Sequence, residues 1–150
     1  MTEPGDPLRV LVVEARFYAD IADEMTRGAI ATLESAGAVV ERIAVPGAFE
    51  LPAAIAFAAD GGRHDGYVAL GCVIRGETSH YDYVCAESAR GLADLARRER
   101  LVIGYGVLTC DSRDQAWARA SIEGGNKGRT AAEACLAMIA LKRRLGGAAS

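Results

Sequence analysis

This sequence predicts an α/β protein, a three-layer αβα sandwich around a four-stranded parallel sheet with helices on both faces. Three observations carry the expectation. Short β-branched apolar runs alternate with longer stretches of helical periodicity from end to end, which is how successive βαβ units read. One run, Tyr67–Ile74, has no polar position, as a parallel strand covered on both sides requires. The 150 residues are 51% hydrophobic but only 6% aromatic, so the core is built mainly from Ala, Val, Leu and Ile. A single domain over residues 1–150 follows, with residues 1–7 as a flexible N-terminal tail.

Leu8–Glu14, LRVLVVE, is short and β-branched and reads as a buried strand. Tyr18–Ala36 repeats Ile21, Met25, Ala29 and Leu33 at every fourth residue, an amphipathic helix stopped by Gly37. Ala38–Val45 is a second strand, closed by Pro46 and Gly47. Phe49–Ala59 is apolar at helical spacing, with Gly61 and Gly62 beyond it. Tyr67–Ile74 is the third strand, Tyr81–Arg97 a helix, and Leu101–Leu108 the fourth strand. Asp111 or Ser112 caps a helix running to about Ala120. EGGNKG is a glycine-rich turn, and Arg129–Leu145 is the last helix, ended by Gly146 and Gly147.

Charge and cysteine usage exclude several function classes. The net charge is −3 with no block of like charge, so no basic face for nucleic acid is expected. RRER at Arg97–Arg100 and KRR at Lys142–Arg144 read as helix ends, where cations oppose the dipole. The four cysteines, Cys72, Cys85, Cys110 and Cys135, form no C-x-x-C pair. Free thiols in a reducing cytoplasm are expected, and no metal site. MTEPGDPL lacks the basic and apolar regions of a signal peptide, and no apolar run reaches membrane-spanning length. The low aromatic and high alanine content hints at burial against copies of the same chain.

Right-handed crossovers place the carboxyl ends of parallel strands on one edge, where ligands of such folds bind. The segments at that edge are EARF (Glu14–Phe17), VPGAFE (Val45–Glu50), GCVIRGETSH (Gly71–His80) and GVLTC (Gly106–Cys110). His80 stands just inside a helix start. It is either a proton shuttle, since a free imidazole titrates near neutrality, or a solvated surface residue. Thr78 and Ser79 either cap that helix or help it hold an anion, for which a helix start is suited. His64, in GGRHDG, reads as a surface loop residue. Phe17 either stacks on a flat heterocycle or folds onto the first helix. Phe49 and Tyr105 are core by default, and Trp117 is a packing residue. Glu50 suits a helix start and can accept bonds from hydroxyls. Arg119 and Lys127 are each, taken singly, solvated cations. GGNKGR lacks the Walker spacing. The residues alone reach a strand-edge site for proton transfer on, or binding of, a small phosphorylated and partly planar molecule.

VPGAFELP, GCVIRGETSHYDYV, GVLT and GNKG occur in this order, and together they resemble the 6,7-dimethyl-8-ribityllumazine synthase family. EARFYADI matches that family's first strand-end segment more loosely. The resemblance runs from about Leu8 to the last helix. It implies a flavodoxin-like fold, and condensation of 5-amino-6-(D-ribitylamino)uracil with 3,4-dihydroxy-2-butanone 4-phosphate, with no cofactor. By motif, His80 is similar to the catalytic histidine and Phe17 to the residue stacking on the pyrimidine. Ala48, Phe49 and Glu50 resemble the ribityl-binding segment, and Cys72, Val73 and Ile74 the backbone lining of the pyrimidine pocket. Glu77 and Thr78 match the positions holding the phosphate through backbone groups. Arg119 resembles the arginine neutralising that phosphate, and Lys127 the lysine of the last motif. The positions of Tyr105, Arg119 and Lys127 reach a neighbour's pocket in the family, whose unit is a pentamer and which in some members builds shells.

Two departures stand out. Thr130 occupies a position where the family pattern has an acid near the histidine. The run CDSRDQAWARASIEGG also differs from the family's usual one. Rival readings are a flavin- or lumazine-binding protein with little turnover, and a shell-forming scaffold. A flavodoxin-like electron carrier would need a phosphate loop after the first strand, which EARFYAD lacks.

Overall fold

The computed structural model describes residues 5–146. Four strands, β1 (Arg9–Ala15), β2 (Val39–Val45), β3 (Gly66–Ile74) and β4 (Ile103–Cys110), form one parallel sheet in the order β2-β1-β3-β4. Five helices connect and flank them: α1 (Ala19–Ser35), α2 (Leu51–Gly61), α3 (His80–Arg98), α4 (Arg113–Ala120) and α5 (Lys127–Leu145). This is the expected three-layer, doubly wound arrangement.

Strand alternation sorts the core into two halves. On one face Val10 and Val12 of β1 and Val68 and Leu70 of β3 meet Ile21, Met25, Ala29 and Leu33 of α1, with Ala116 and Ala120 of α4 and Ala132 and Cys135 of α5. On the other, Leu11, Val13, Tyr67, Ala69 and Val107 meet Leu51 and Ile55 of α2 and Leu92 of α3. The first layer is tightly packed, because small residues let backbones approach. The second buries little of α3, only Ser88 and Leu92, and leaves Phe57 and Tyr83 exposed.

Several boundaries shift for identifiable reasons. The expected helix over Phe49–Ala59 divides into a 3-10 turn at Ala48–Glu50 and α2, with Pro52 in the first turn of α2. The fourth strand lies two residues beyond Leu101–Leu108, because its register against β3 runs from Tyr67↔Ile103 to Ile74↔Cys110. α3 begins at His80 instead of Tyr81. α5 begins at Lys127 instead of Arg129, because Asn126 adopts φ +46° and its side chain accepts the Arg129 N–H. Of the two proposed caps, Ser112 serves α4, accepting the Gln115 N–H at 3.2 Å. Residues 1–4 of the expected tail, and Gly147, lie outside the described residues.

The default readings of four side chains are overturned. Phe49 and Tyr105 are not core: they are 58% and 46% exposed. Tyr105 sits on an edge strand, so half its ring has nothing to cover it. Trp117 is likewise half-exposed. His64 is no surface residue, since its side chain is only 4% exposed and its Nε2 lies 2.7 Å from Glu41 Oε1. The turn that carries it packs over β2, a contact spanning 23 positions and invisible to local pattern.

Candidate active site

The carboxyl edge of the sheet is where β1, the β2 exit and β3 open into a cleft of about 690 Å³. That volume suits a small-molecule site. Each wall has a local cause. Phe17 leaves the end of β1 before α1 begins, so its ring projects into solvent, 73% exposed. Among the described residues its one aromatic neighbour is Tyr18, edge-on at 4.9 Å and 79°. Pro46 and Gly47 end β2, and the turn that follows brings Ala48, Phe49 and Glu50 to the cleft. Glu50 folds back so that its Oε1 accepts the Gly47 N–H at 2.9 Å, which orients the carboxylate. The last residues of β3, Cys72, Val73 and Ile74, form the floor.

The loop from β3 to α3 supplies the polar end. Thr78 and His80 both line the cleft, and Thr78 Oγ1 accepts the His80 N–H at 3.3 Å. Ser79, the capping residue, makes no side-chain bond to the helix start. The positive end of α3 therefore faces the cleft, a natural place for an anion. Arg75, just before this loop, braces it: its Nε donates to Asp111 Oδ1 at 3.0 Å and its guanidinium lies 4.3 Å from the centre of the Tyr81 ring. Burial pushes the Cys72 thiol up to about 12, with the neighbouring Cys110 adding to it, so this thiol is neutral and a poor nucleophile. Among the cleft-lining residues the His80 imidazole, the Glu50 carboxylate and the hydroxyls of Tyr18, Tyr81 and Tyr83 are the groups that can move protons.

Of the residues singled out from sequence, Phe17, Ala48, Phe49, Glu50, Cys72, Val73, Ile74, Thr78 and His80 meet in this one cleft. Glu77, Tyr105, Arg119 and Lys127 do not line it. Arg119 and Lys127 instead sit at the junction of α4 and α5. Gly125 N–H donates there to the Ala118 carbonyl at 2.8 Å, and Asn126 N–H to Ser121 at 2.9 Å, which ties the two cationic segments together. Thr130 is exposed, with its hydroxyl turned to the Asn126 carbonyl. Sequence reasoning missed Tyr18, Tyr81, Tyr83 and Val84 as cleft residues. Their signal was present: Tyr83 and Val84 follow His80 at i+3 and i+4, so they share its helix face.

Comparison with known proteins gives a consistent picture. A family model described as 6,7-dimethyl-8-ribityllumazine synthase matches residues 7–143. A protein of that name (numbered 1) from Rhizobium meliloti (strain 1021) is 55% identical over 145 residues, covering 93% of this chain and 95% of its own. One from Bartonella tribocorum is 55% identical over 147 residues, covering 97% of each chain. One from Agrobacterium fabrum is 54% identical over 143 residues, covering 92% of this chain and 97% of its own.

Proposed function

This chain belongs to the 6,7-dimethyl-8-ribityllumazine synthase family, and from that premise we propose how its residues carry the reaction. The enzyme is a transferase of riboflavin biosynthesis. It joins 5-amino-6-(D-ribitylamino)uracil to 3,4-dihydroxy-2-butanone 4-phosphate and releases 6,7-dimethyl-8-ribityllumazine, inorganic phosphate and two waters. A binding-only protein or a scaffold is not favoured.

In the proposed site the pyrimidine lies over the β3 floor, with Phe17 stacked on it and the Cys72–Ile74 backbone along its edge. The ribityl chain runs toward Ala48–Glu50, where the oriented Glu50 carboxylate accepts bonds from hydroxyls. The butanone phosphate places its phosphate at the start of α3, against Glu77 and Thr78. The pyrimidine's 5-amino group attacks the ketone carbon, and loss of water gives an imine. Elimination then breaks the C–O bond to phosphate. Ring closure by the ribitylamino nitrogen and loss of the second water complete the product. His80, beside both substrates, takes and returns the protons of these steps. Holding two small molecules in register supplies much of the acceleration.

One observation carries the assembly part of the proposal. No Lys or Arg stands among the cleft-lining residues, although a phosphate dianion must be held there. The family's arginine and lysine, Arg119 and Lys127, lie on the far side of the sheet from α2 and α3. A neighbouring chain supplies them, with Tyr105, and the working unit is a ring of five. The exposed Phe57 and Tyr83 of the thinly covered layer support such a contact. The chain acts as one catalytic domain in the cytoplasm. Among the described residues no helix is long and apolar enough to cross a membrane.

The test has two parts. Both substrates are mixed with the purified protein, and lumazine absorbance and phosphate release are followed above the uncatalysed background. Assemblies of Arg119→Ala chains are then dissociated and reassembled with chains carrying both Phe17→Ala and His80→Ala. Shared sites predict that mixed rings recover activity well above the sum of the parts. Strictly additive activity would show that each chain completes its own site.

A further inference from the structure

Glu14 is the one charged residue among the buried described residues, its side chain 4% exposed at the end of β1. The reaction as proposed makes no use of it. Arg42 of β2 grips it with a fork, Nε at 2.7 Å from Oε2 and Nη2 at 3.1 Å from Oε1. Arg16 adds Nη1 at 2.8 Å from Oε1, and its Nη2 reaches Asp23 of α1 at 2.6 Å. The backbone shows what this network holds. Glu14 stands opposite Ala44, while Arg42 stands opposite Val12, so the fork runs diagonally toward the strand ends. There Arg16 N–H donates to the Val45 carbonyl at 3.1 Å. The next residue of one strand is Phe17, and the other strand leads into Pro46–Glu50.

Glu14 is buried while the Arg42 side chain is 53% exposed, and such a pair contributes little net stability over an apolar pair, because desolvating the carboxylate opposes the attraction. A bidentate fork does fix geometry. The Phe17 ring is 73% exposed and among the described residues meets one other aromatic ring, edge-on, so packing clamps it little and its position follows from the backbone that carries it.

We infer that Glu14 is a positioning residue: through Arg42 and Arg16 it sets the ends of β1 and β2 against each other, and so fixes Phe17 and the ribityl segment for the pyrimidine substrate. The inference rests on the proposed stacking role of Phe17. It selects one substrate, because the network's side-chain bonds run between β1, β2 and α1, whereas the phosphate end of the cleft is built on the end of β3 and the start of α3, beyond the point where Glu14 pairs with Leu70 of β3.

The experiment compares Phe17→Ala, Glu14→Gln, and the apolar double variant Glu14→Met with Arg42→Leu. KM is measured for each substrate with the other saturating, together with kcat and the thermal midpoint. The apolar pair should keep a midpoint near the parent's. Its KM for the ribitylaminouracil should rise about tenfold, within the ~100-fold that a misplacement of roughly 1 Å can cost. KM for the butanone phosphate should stay within about twofold on the same reasoning. Should the double variant fail to fold, the near-isosteric Glu14→Gln reads the same split. A raised pyrimidine KM in Phe17→Ala alone, with both Glu14 variants unchanged, overturns the inference and leaves the stacking role standing. Equal rises in both KM values overturn it too, since they mark a merely structural role. An unchanged KM in Phe17→Ala overturns the stacking role and the inference together.

Discussion

Replacing Gly128 by alanine adds one methyl group where α5 crosses α1. Its Cβ would lie 2.0 Å from the Met25 carbonyl oxygen and 2.8 Å from the carbonyl carbon, both backbone atoms that cannot rotate away. Ordinary contact begins near 3.4 Å, so the shortfall is about 1.4 Å. The first turn of α5 must lift by roughly that much, or α1 must bend. Overpacking of this kind costs about 1–3 kcal/mol, against which alanine's better helix propensity returns at most about 1 kcal/mol. A clash this close with backbone falls at the upper end of that cost, and the net loss of about 2 kcal/mol should lower the thermal midpoint by roughly 5 °C in a chain of this size. Activity should suffer more than stability. Lys127 is the neighbouring residue, and on its proposed role in holding the phosphorylated substrate a shift near 1 Å lowers kcat/KM by about tenfold or more at temperatures where the variant is folded. Differential scanning calorimetry and initial rates on the same preparation check both. A variant as stable as the parent, with unchanged kcat/KM, would refute the claim that this crossing sets the place of Lys127.

His80→Ala should slow turnover by about a hundredfold, the low end of what general acid–base catalysis contributes, and leave activity well above background. Abolished turnover with substrate binding and assembly intact would remove the proximity account. Arg119→Ala should raise KM for the phosphorylated substrate about tenfold, the loss of a charge-assisted bond, and spare the pyrimidine; an equal effect on both substrates would contradict the assigned role. The Cys72 thiol, raised to about 12 by burial, should resist iodoacetamide at pH 8 until the protein unfolds, and Cys72→Ser should stay active. Rapid labelling of Cys72 in the folded protein would count against its burial. Burial pushes the Glu14 carboxyl up, but the hydrogen bonds and charge of Arg42, with the hydrogen bond from Arg16, outweigh that and hold it below the ordinary glutamate value. The resulting stability is complete above that ordinary value, about 4.3, and is lost as pH falls through the lower folded value. Thermal midpoints of the parent and Glu14→Gln should therefore converge in strong acid, and a gap that persists there would sink the assignment.

Much of this molecule was legible in one dimension because burial by regular elements leaves a period. The fourfold spacing of Ile21, Met25, Ala29 and Leu33 marks the face of α1 that meets the sheet, and all four are buried. The unbroken apolar run of β3 marks a central strand, and it sits between β1 and β4. Once the strands are parallel, chain connectivity alone carries Phe17, Glu50 and His80 to the same edge. The carboxyl-edge cleft follows from backbone direction and needs no knowledge of side-chain packing.

What the tertiary structure alone decided concerns coverage and long-range charge. Phe49 and Tyr105 are apolar residues at core-like positions, yet whether anything covers them depends on which element lies opposite. The pairing of His64 with Glu41, and the grip of Arg42 on Glu14 across 28 positions, arise where loops and edge strands meet, and no local period encodes that. The place of Arg119 and Lys127 outside their own chain's cleft is also a matter of which side of the sheet α4 and α5 occupy. Hydrophobic periodicity is a property of neighbouring residues along the chain and survives in the bare sequence. Charge pairing and edge burial are properties of neighbours in space, and they exist only once the layers have packed.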